Sequence, residues 1–243
     1  MRAFLRFLAA LPRSVLLAFV IYLPGDAGVL LRRWYYGRRL RACGRNLTVM
    51  PGVHIGGEHH IEIGDDVTIR ENVVIRAGGK PVSSDTREII ELGSYAGRER
   101  GVIRIGDRAR IAFGAVILGY GGVAIGSKCG IGPHCIVLSE TFHHKGRDPR
   151  RIYKYSQGAD PEEQCVLRGF VELMDGAGIA SNVVVLPAAT IGRDAWVGPN
   201  SIVRLGGIIE NDVIARGDPA GSVFQRHYVA RETPDDLGET IPK

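Results

Sequence analysis

An aliphatic side chain returns at every sixth position through most of this chain, and few folds accommodate such a period. Ile63, Ile69 and Ile75 form one set, Ile105, Ile111 and Ile117 a second, and Ile125, Ile131 and Val137 a third. The longest set runs through Ile179, Val185, Ile191, Val197 and Val203. Four positions after most of these comes a small or β-branched residue, as at Val67, Ala109, Cys129, Cys135, Val183 and Ala195. A period of six is neither that of an amphipathic helix nor that of a hairpin strand. Three six-residue units instead close a triangular coil of about 18 residues, and stacked coils bury a continuous aliphatic column. Glycine, 33 residues of 243, commonly follows the aliphatic position and suits a tight turn at a fixed interval. The expected fold class is all-β, a parallel β-helix of hexapeptide repeats with an apolar N-terminal helical segment and inserted loops. Three segments are expected: residues 1–43, the β-helix over 44–225, and a tail over 226–243.

Charge is placed unevenly along the chain. Residues 1–41 hold eight arginines and one acid, Asp26, a charge of +7 that leaves about −2 on the rest of a chain whose net is +5. The basic balance therefore describes one segment and not a surface for nucleic acid, and no basic-aromatic stripe supports that partner. Residues 15–23 (VLLAFVIYL) are an unbroken apolar run of nine, well short of the roughly 20 that span a bilayer. Arg32-Arg33-Trp34-Tyr35-Tyr36-Gly37-Arg38-Arg39 follows, with aromatics and cations interleaved as at a membrane interface. The segment is expected to lie on the inner membrane surface of a cytoplasmic protein, or else to pack on the first coil or a neighbouring subunit. Cys43, Cys129, Cys135 and Cys165 fall in no CxxC pair and no zinc spacing, so they read as small buried residues in a reducing compartment.

The stretch Gly178-Ile179-Ala180-Ser181-Asn182-Val183-Val184-Val185-Leu186-Pro187-Ala188-Ala189-Thr190-Ile191-Gly192, with Asp194-Ala195-Trp196-Val197-Gly198 and the later Gly217-Asp218-Pro219-Ala220, resembles the hexapeptide-repeat acyltransferase superfamily. The similarity is greatest to bacterial sugar O-acetyltransferases. The resemblance implies a left-handed β-helix, a homotrimer with sites between subunits, acetyl-CoA as acyl donor and a sugar or glycan acceptor, in the setting of surface polysaccharide assembly.

The repeat breaks twice, near residues 77–101 and 139–165, and insertions in a solenoid are where function concentrates. The second begins Ser139-Glu140-Thr141-Phe142-His143-His144-Lys145-Gly146. In the resembling family a histidine here is the general base, and an acid or threonine precedes it by two or three positions. That implies His143 as base, with His144 as the alternative because the pair leaves the alignment open by one. Glu140 would orient the imidazole or stabilise its charged form. An alcohol needs such a base to attack a thioester at neutral pH, and histidine titrates in that range. A backbone amide of a neighbouring coil would hold the developing oxyanion. The resemblance also implies donor contacts at Ala180, Ser181 and Gly198, with Arg204, Arg216 or Arg226 near the phosphates. Gly178 stands where the family often has tryptophan, and Arg204-Leu205 where it has Thr-Lys.

Three other readings follow from the same residues. A zinc-dependent carbonic anhydrase shares the solenoid, but the intervals between His134, His143 and His144 do not match its ligand spacing, and no metal is expected. A non-catalytic scaffold would need no histidine-bearing loop. An N-acyltransferase acting on a nucleotide-linked aminosugar keeps the enzyme and changes the acceptor.

Overall fold

The computed structural model describes residues 14–78, 87–156 and 158–225. Their strands form a left-handed parallel β-helix whose three long sheets are the faces of a prism. Face A carries seven strands, from Ala42–Cys43 to Ile208–Ile209; face B carries eight, from Thr48–Val49 to Gly221–Gln225. Face C carries six, from His54–Gly56 to Ile202–Val203. The six-residue period sets the stacking. Ile63, Ile105, Ile125, Leu173, Ile191 and Ile209 lie in register down face A. Ile55, Ile75, Ile117, Val137, Val185 and Val203 do so down face C. Their inward side chains form the core, and small residues such as Val67, Ala109, Cys129, Cys135 and Ala195 fill the corners, all buried. Burial pushes the Cys129 thiol up to about 11, so this cysteine is packing and not a nucleophile.

The corners obey a rule that periodicity in the aliphatic positions does not reveal. Asn46, Asp66, Asn72, Asn182, Asp194, Asn200 and Asp212 all adopt left-handed backbone, with φ between 54° and 59°. Asn and Asp tolerate that region at the least cost after glycine. His134 occupies the same kind of position (φ 56°) against the Phe113 ring, so its role is in the turn. Glycine is required where coils touch: a Cβ on Gly126 would lie 2.5 Å from the Asp175 amide nitrogen, and one on Gly192 2.6 Å from that of Asn211.

The N-terminal segment packs on the first coil. Helix α1 (residues 14–22) and helix α2 (Gly25–Gly37) form a hairpin over the open end of the prism. Amides of each coil donate to carbonyls of the next, as Thr48 N does to Val67 O, which leaves carbonyls of the first coil without a preceding coil. The fully buried Arg32 donates to Val49 O (2.7 Å), Arg33 to Leu47 O (2.7 Å) and Tyr36 to Val53 O (3.3 Å). The hairpin thus caps an edge that would otherwise recruit another strand. Among the described residues, no helix is long and apolar enough to cross a membrane.

The two breaks in the repeat are not independent loops. Glu140–His143 pairs antiparallel with Cys165–Gly169, which pairs in parallel with Glu88–Leu92 from the first insertion. The second insertion therefore runs to Phe170, beyond the expected 165, and returns to face A at Val171. Both insertions leave the prism between a face C strand and the following face A strand, along one edge.

Candidate functional site

Ser139 fixes the strand that carries the candidate base. Its buried hydroxyl donates to Leu118 O (2.9 Å) and accepts from the Gly121 amide (2.8 Å), while its carbonyl accepts from the Gly169 amide (2.9 Å). Both ends of the insertion sheet are thereby tied to the prism. His143 ends the strand, half-buried, and His144 follows it exposed, with ring centroids 4.6 Å apart. The His143 Nδ1 lies 2.8 Å from Lys145 O and 3.2 Å from Lys145 N. The carbonyl contact fits a proton on Nδ1 and the amide contact a lone pair there, so the Lys145 backbone orients the ring with either nitrogen protonated.

The acid expected to orient this imidazole is turned elsewhere. Strand residues alternate between faces, so Glu140 and His143, three apart, point to opposite sides of the insertion sheet. Glu140 pairs across to Arg168, which donates from Nε at 2.7 Å, and both side chains are largely buried (16% and 18% exposed). Arg168 is in register with Glu91 on the next strand. Sequence spacing suggested a contact between Glu140 and His143; the strand conformation prevents it, and the Lys145 carbonyl stands at Nδ1 instead. On the His143 side the register brings Cys165 and then Glu88. Glu88 accepts from the Tyr153 hydroxyl and, at 2.8 Å, from the Arg147 amide. Those two bonds, Tyr153 first, hold its carboxyl below the usual range, and they pin the loop that follows His143. That loop carries Lys145, Arg147, Arg150, Arg151 and Lys154.

The expected donor residues gather on a different edge. Ala180 and Ser181 follow the face B strand Gly178–Ile179, and Gly198 follows Trp196–Val197. Arg216 ends the face B strand of the next coil, and a Cβ on Gly198 would come within 3.2 Å of its Cβ. All four lie along the turn from face B to face C. Arg204 follows the face C strand Ile202–Val203, on the edge that carries the insertions. Arg226 lies outside the described residues, as do residues 227–243 of the expected tail. Within one chain, then, His143 and the Ala180–Ser181–Gly198 edge are separated by the width of face C.

The outward side of face C differs from the other two. Beyond His54 and Arg76 at the capped end, it presents Val74, Val116, Leu118, Ile136, Leu138, Val184, Leu186 and Ile202, half-buried to exposed (Ile136 37%). Face A instead presents an ion-pair ladder: Arg104 with Glu62 and Glu99, Arg41 with the same two acids, and Arg98 with Glu172. Face B presents Arg110, Gly130, Gly178 and Trp196 around a groove of about 600 Å³. The signal for face C was readable as aliphatic doublets at every third unit: Val74-Ile75, Val116-Ile117, Ile136-Val137, Val184-Val185 and Ile202-Val203. Among the described residues, no group of three or more His, Cys, Asp or Glu side chains could hold a metal ion.

No protein-family model matches the sequence. No curated protein matches it either. Solved structures do. A variant of AntD, an N-acyltransferase from Bacillus cereus, in complex with dTDP and coenzyme A, superposes with a TM-score of 0.63 at 18% identity, over 81% of this chain and 89% of that one. A second AntD variant, with dTDP-4-amino-4,6-dideoxyglucose and coenzyme A, gives 0.57 at 18% identity over the same shares. The hexapeptide-repeat acetyltransferase VCA0836 from Vibrio cholerae, with acetyl-coenzyme A, gives 0.51 at 19% identity over 87% of this chain and 83% of that one. In fold, this chain is a hexapeptide-repeat left-handed β-helix of the kind these acyltransferases share.

Proposed function

We propose that the protein is an acyl-CoA-dependent O-acyltransferase that moves acetyl from acetyl-CoA to a sugar hydroxyl of a surface glycan, working as a homotrimer at the cytoplasmic face of the membrane. The observation that carries this reading is His143, at the end of the insertion strand with its Nδ1 edge held against the Lys145 backbone, which turns Nε2 away from that contact. In the reaction, Nε2 takes the acceptor's O–H proton as that oxygen bonds to the thioester carbonyl carbon. The tetrahedral intermediate then expels the CoA sulfur, which receives the proton from the imidazolium. Such a base contributes about 10²–10⁴-fold.

The trimer supplies what one chain separates. The aliphatic outer side of face C is the surface best suited to pack around a three-fold axis. In such a ring the face C to A edge of one subunit meets the face B to C edge of the next. His143 would then act on a thioester lying along Ala180, Ser181 and Gly198 of the adjoining subunit, with Arg204 and Arg216 near the phosphates.

A second reading, N-acylation of a nucleotide-linked aminosugar, is favoured by the AntD likeness, since AntD is an N-acyltransferase seen with a dTDP-aminosugar. Turnover assays with acetyl-CoA against a panel of sugars, glycans and nucleotide aminosugars separate the two. His143→Ala is expected to lower turnover by about 10²-fold or more with the thermal transition unchanged. Wild-type turnover by that variant would refute the assignment of the base.

A further inference from the structure

We infer that the helical cap is the membrane-docking surface, with the outer sides of α1 and α2 inserted among anionic lipid headgroups. This rests on the membrane placement proposed above and gives it a surface. Seven of the fifteen large apolar side chains that the described residues expose lie between Val15 and Trp34. Helix α2 turns Gly28, Arg32 and Tyr36 inward at four-residue spacing. Two positions on, Leu30, Trp34 and Arg38 form the opposite stripe, with Leu30 62% and Trp34 56% exposed. Helix α1 adds Phe19, 58% exposed, while Leu16 lines a cavity with Tyr35, His54 and Arg76, and Tyr22 meets the His54 ring. Leu30 and Trp34 are not needed to hold the cap, since the inward stripe and the arginine–carbonyl bonds do that.

Charge selects the occupant. Of the described arginines in this segment, Arg32 and Arg33 bond carbonyls of the first coil, and Arg39 and Arg41 pair with Glu58, Glu62 and Glu99, which leaves Arg38 as the outward cation. Arg38 sits 4.6 Å over the Trp34 ring, beside Arg39, at the end of the apolar stripe. An apolar stripe ending in an indole and a guanidinium matches the acyl–headgroup boundary of an anionic leaflet. A second cap docked face to face would set like charges together, and face C already offers the aliphatic surface for self-association. The cap closes the end of the prism, so in a ring of three parallel prisms all three caps lie at the same end. Three weak contacts on one plane then act together.

The test is sedimentation of the full chain with vesicles of neutral phosphatidylcholine and with vesicles containing about one third phosphatidylserine. The double variant Leu30→Asp/Trp34→Ser is run beside it, its fold checked by the thermal transition and its assembly by light scattering. The wild type is expected to partition onto the anionic vesicles at least about tenfold more strongly than onto the neutral ones, and less so as salt rises. The double variant, still folded and assembled, should lose that binding by about tenfold or more. Equal binding by the double variant overturns the assignment of the surface and leaves the membrane placement standing. No wild-type binding overturns both and leaves the acyltransferase reading untouched. Loss of assembly by the double variant, with no wild-type vesicle binding, makes the stripe a subunit contact and also overturns the inference.

Discussion

Replacing Arg32 with methionine should detach the cap without melting the prism. Arg32 is fully buried and donates to Val49 O at 2.7 Å, Leu23 O at 2.8 Å and Val20 O at 3.2 Å. Methionine keeps most of the apolar stem and removes every donor. The Val49 and Leu23 carbonyls then lose their partner, and an orphaned buried acceptor costs about 1–3 kcal/mol. Part of that is offset, because the substitution also relieves a buried charge whose second terminal nitrogen has no partner. The net loss is about 2–4 kcal/mol, concentrated in α1, α2 and the first coil. Each coil contacts chiefly its neighbours, so the rest of the solenoid should keep its stability. Hydrogen exchange reads this directly. The Gly52 amide, which donates to Ile21 O at 2.9 Å, should exchange about 30-fold faster or more in Arg32→Met, while the Ile131 and Val197 amides stay protected. Arg33→Met, which removes a single bond to Leu47 O, should cost about 1 kcal/mol. Unchanged protection at Gly52, or a uniform loss along the chain, would refute the view that these arginines seal the solenoid end.

Glu140→Gln should reduce kcat by less than about tenfold, since the pair it weakens is with Arg168 and lies on the far face of the strand from His143. Its thermal transition should fall, and a loss of turnover equal to that of His143→Ala would restore Glu140 as the orienting acid. Acidification acts on the loop after His143. The Glu88 carboxyl is held below its ordinary value, so the anchoring it gives is present above the ordinary carboxylate range and is lost as pH falls through the lowered value. Limited proteolysis within residues 144–164 should therefore rise on acidification in the wild type and be high at all pH values in Glu88→Gln. A pH-independent cleavage rate in the wild type would contradict this.

The prism was legible because its period is carried by side chains with no other task. Ile105, Ile111 and Ile117 recur at six whatever surrounds them, and the corner cysteines fall into place with them. The left-handed Asn and Asp positions were equally present in the sequence, hidden by Arg108, Lys128, His134 and Ala188 at equivalent turns. The insertion sheet was not legible. Glu88–Leu92 and Cys165–Gly169 pair across more than 70 residues, and no local pattern announces such a partner. Missing the strand at Glu140–His143 then gave Glu140 the wrong neighbour, since a spacing of three brings side chains together on a helix and parts them on a strand. The candidate base and the candidate donor residues lie at opposite edges of face C, an arrangement that only the order of faces around the prism reveals.

That division gives the most direct test. His143→Ala removes the base, and Ser181→Trp blocks the donor edge; each variant alone should be inactive. In the proposed ring, each site takes His143 from one subunit and Ser181 from the next, so each hybrid trimer has one intact site in three and an equal mixture as a whole should regain about a quarter of wild-type turnover. Recovery at that level, appearing only after the two variants are unfolded and reassembled together, is the predicted result. No recovery from hybrids shown to contain both chains would mean that each site is built within one subunit, and would contradict the account.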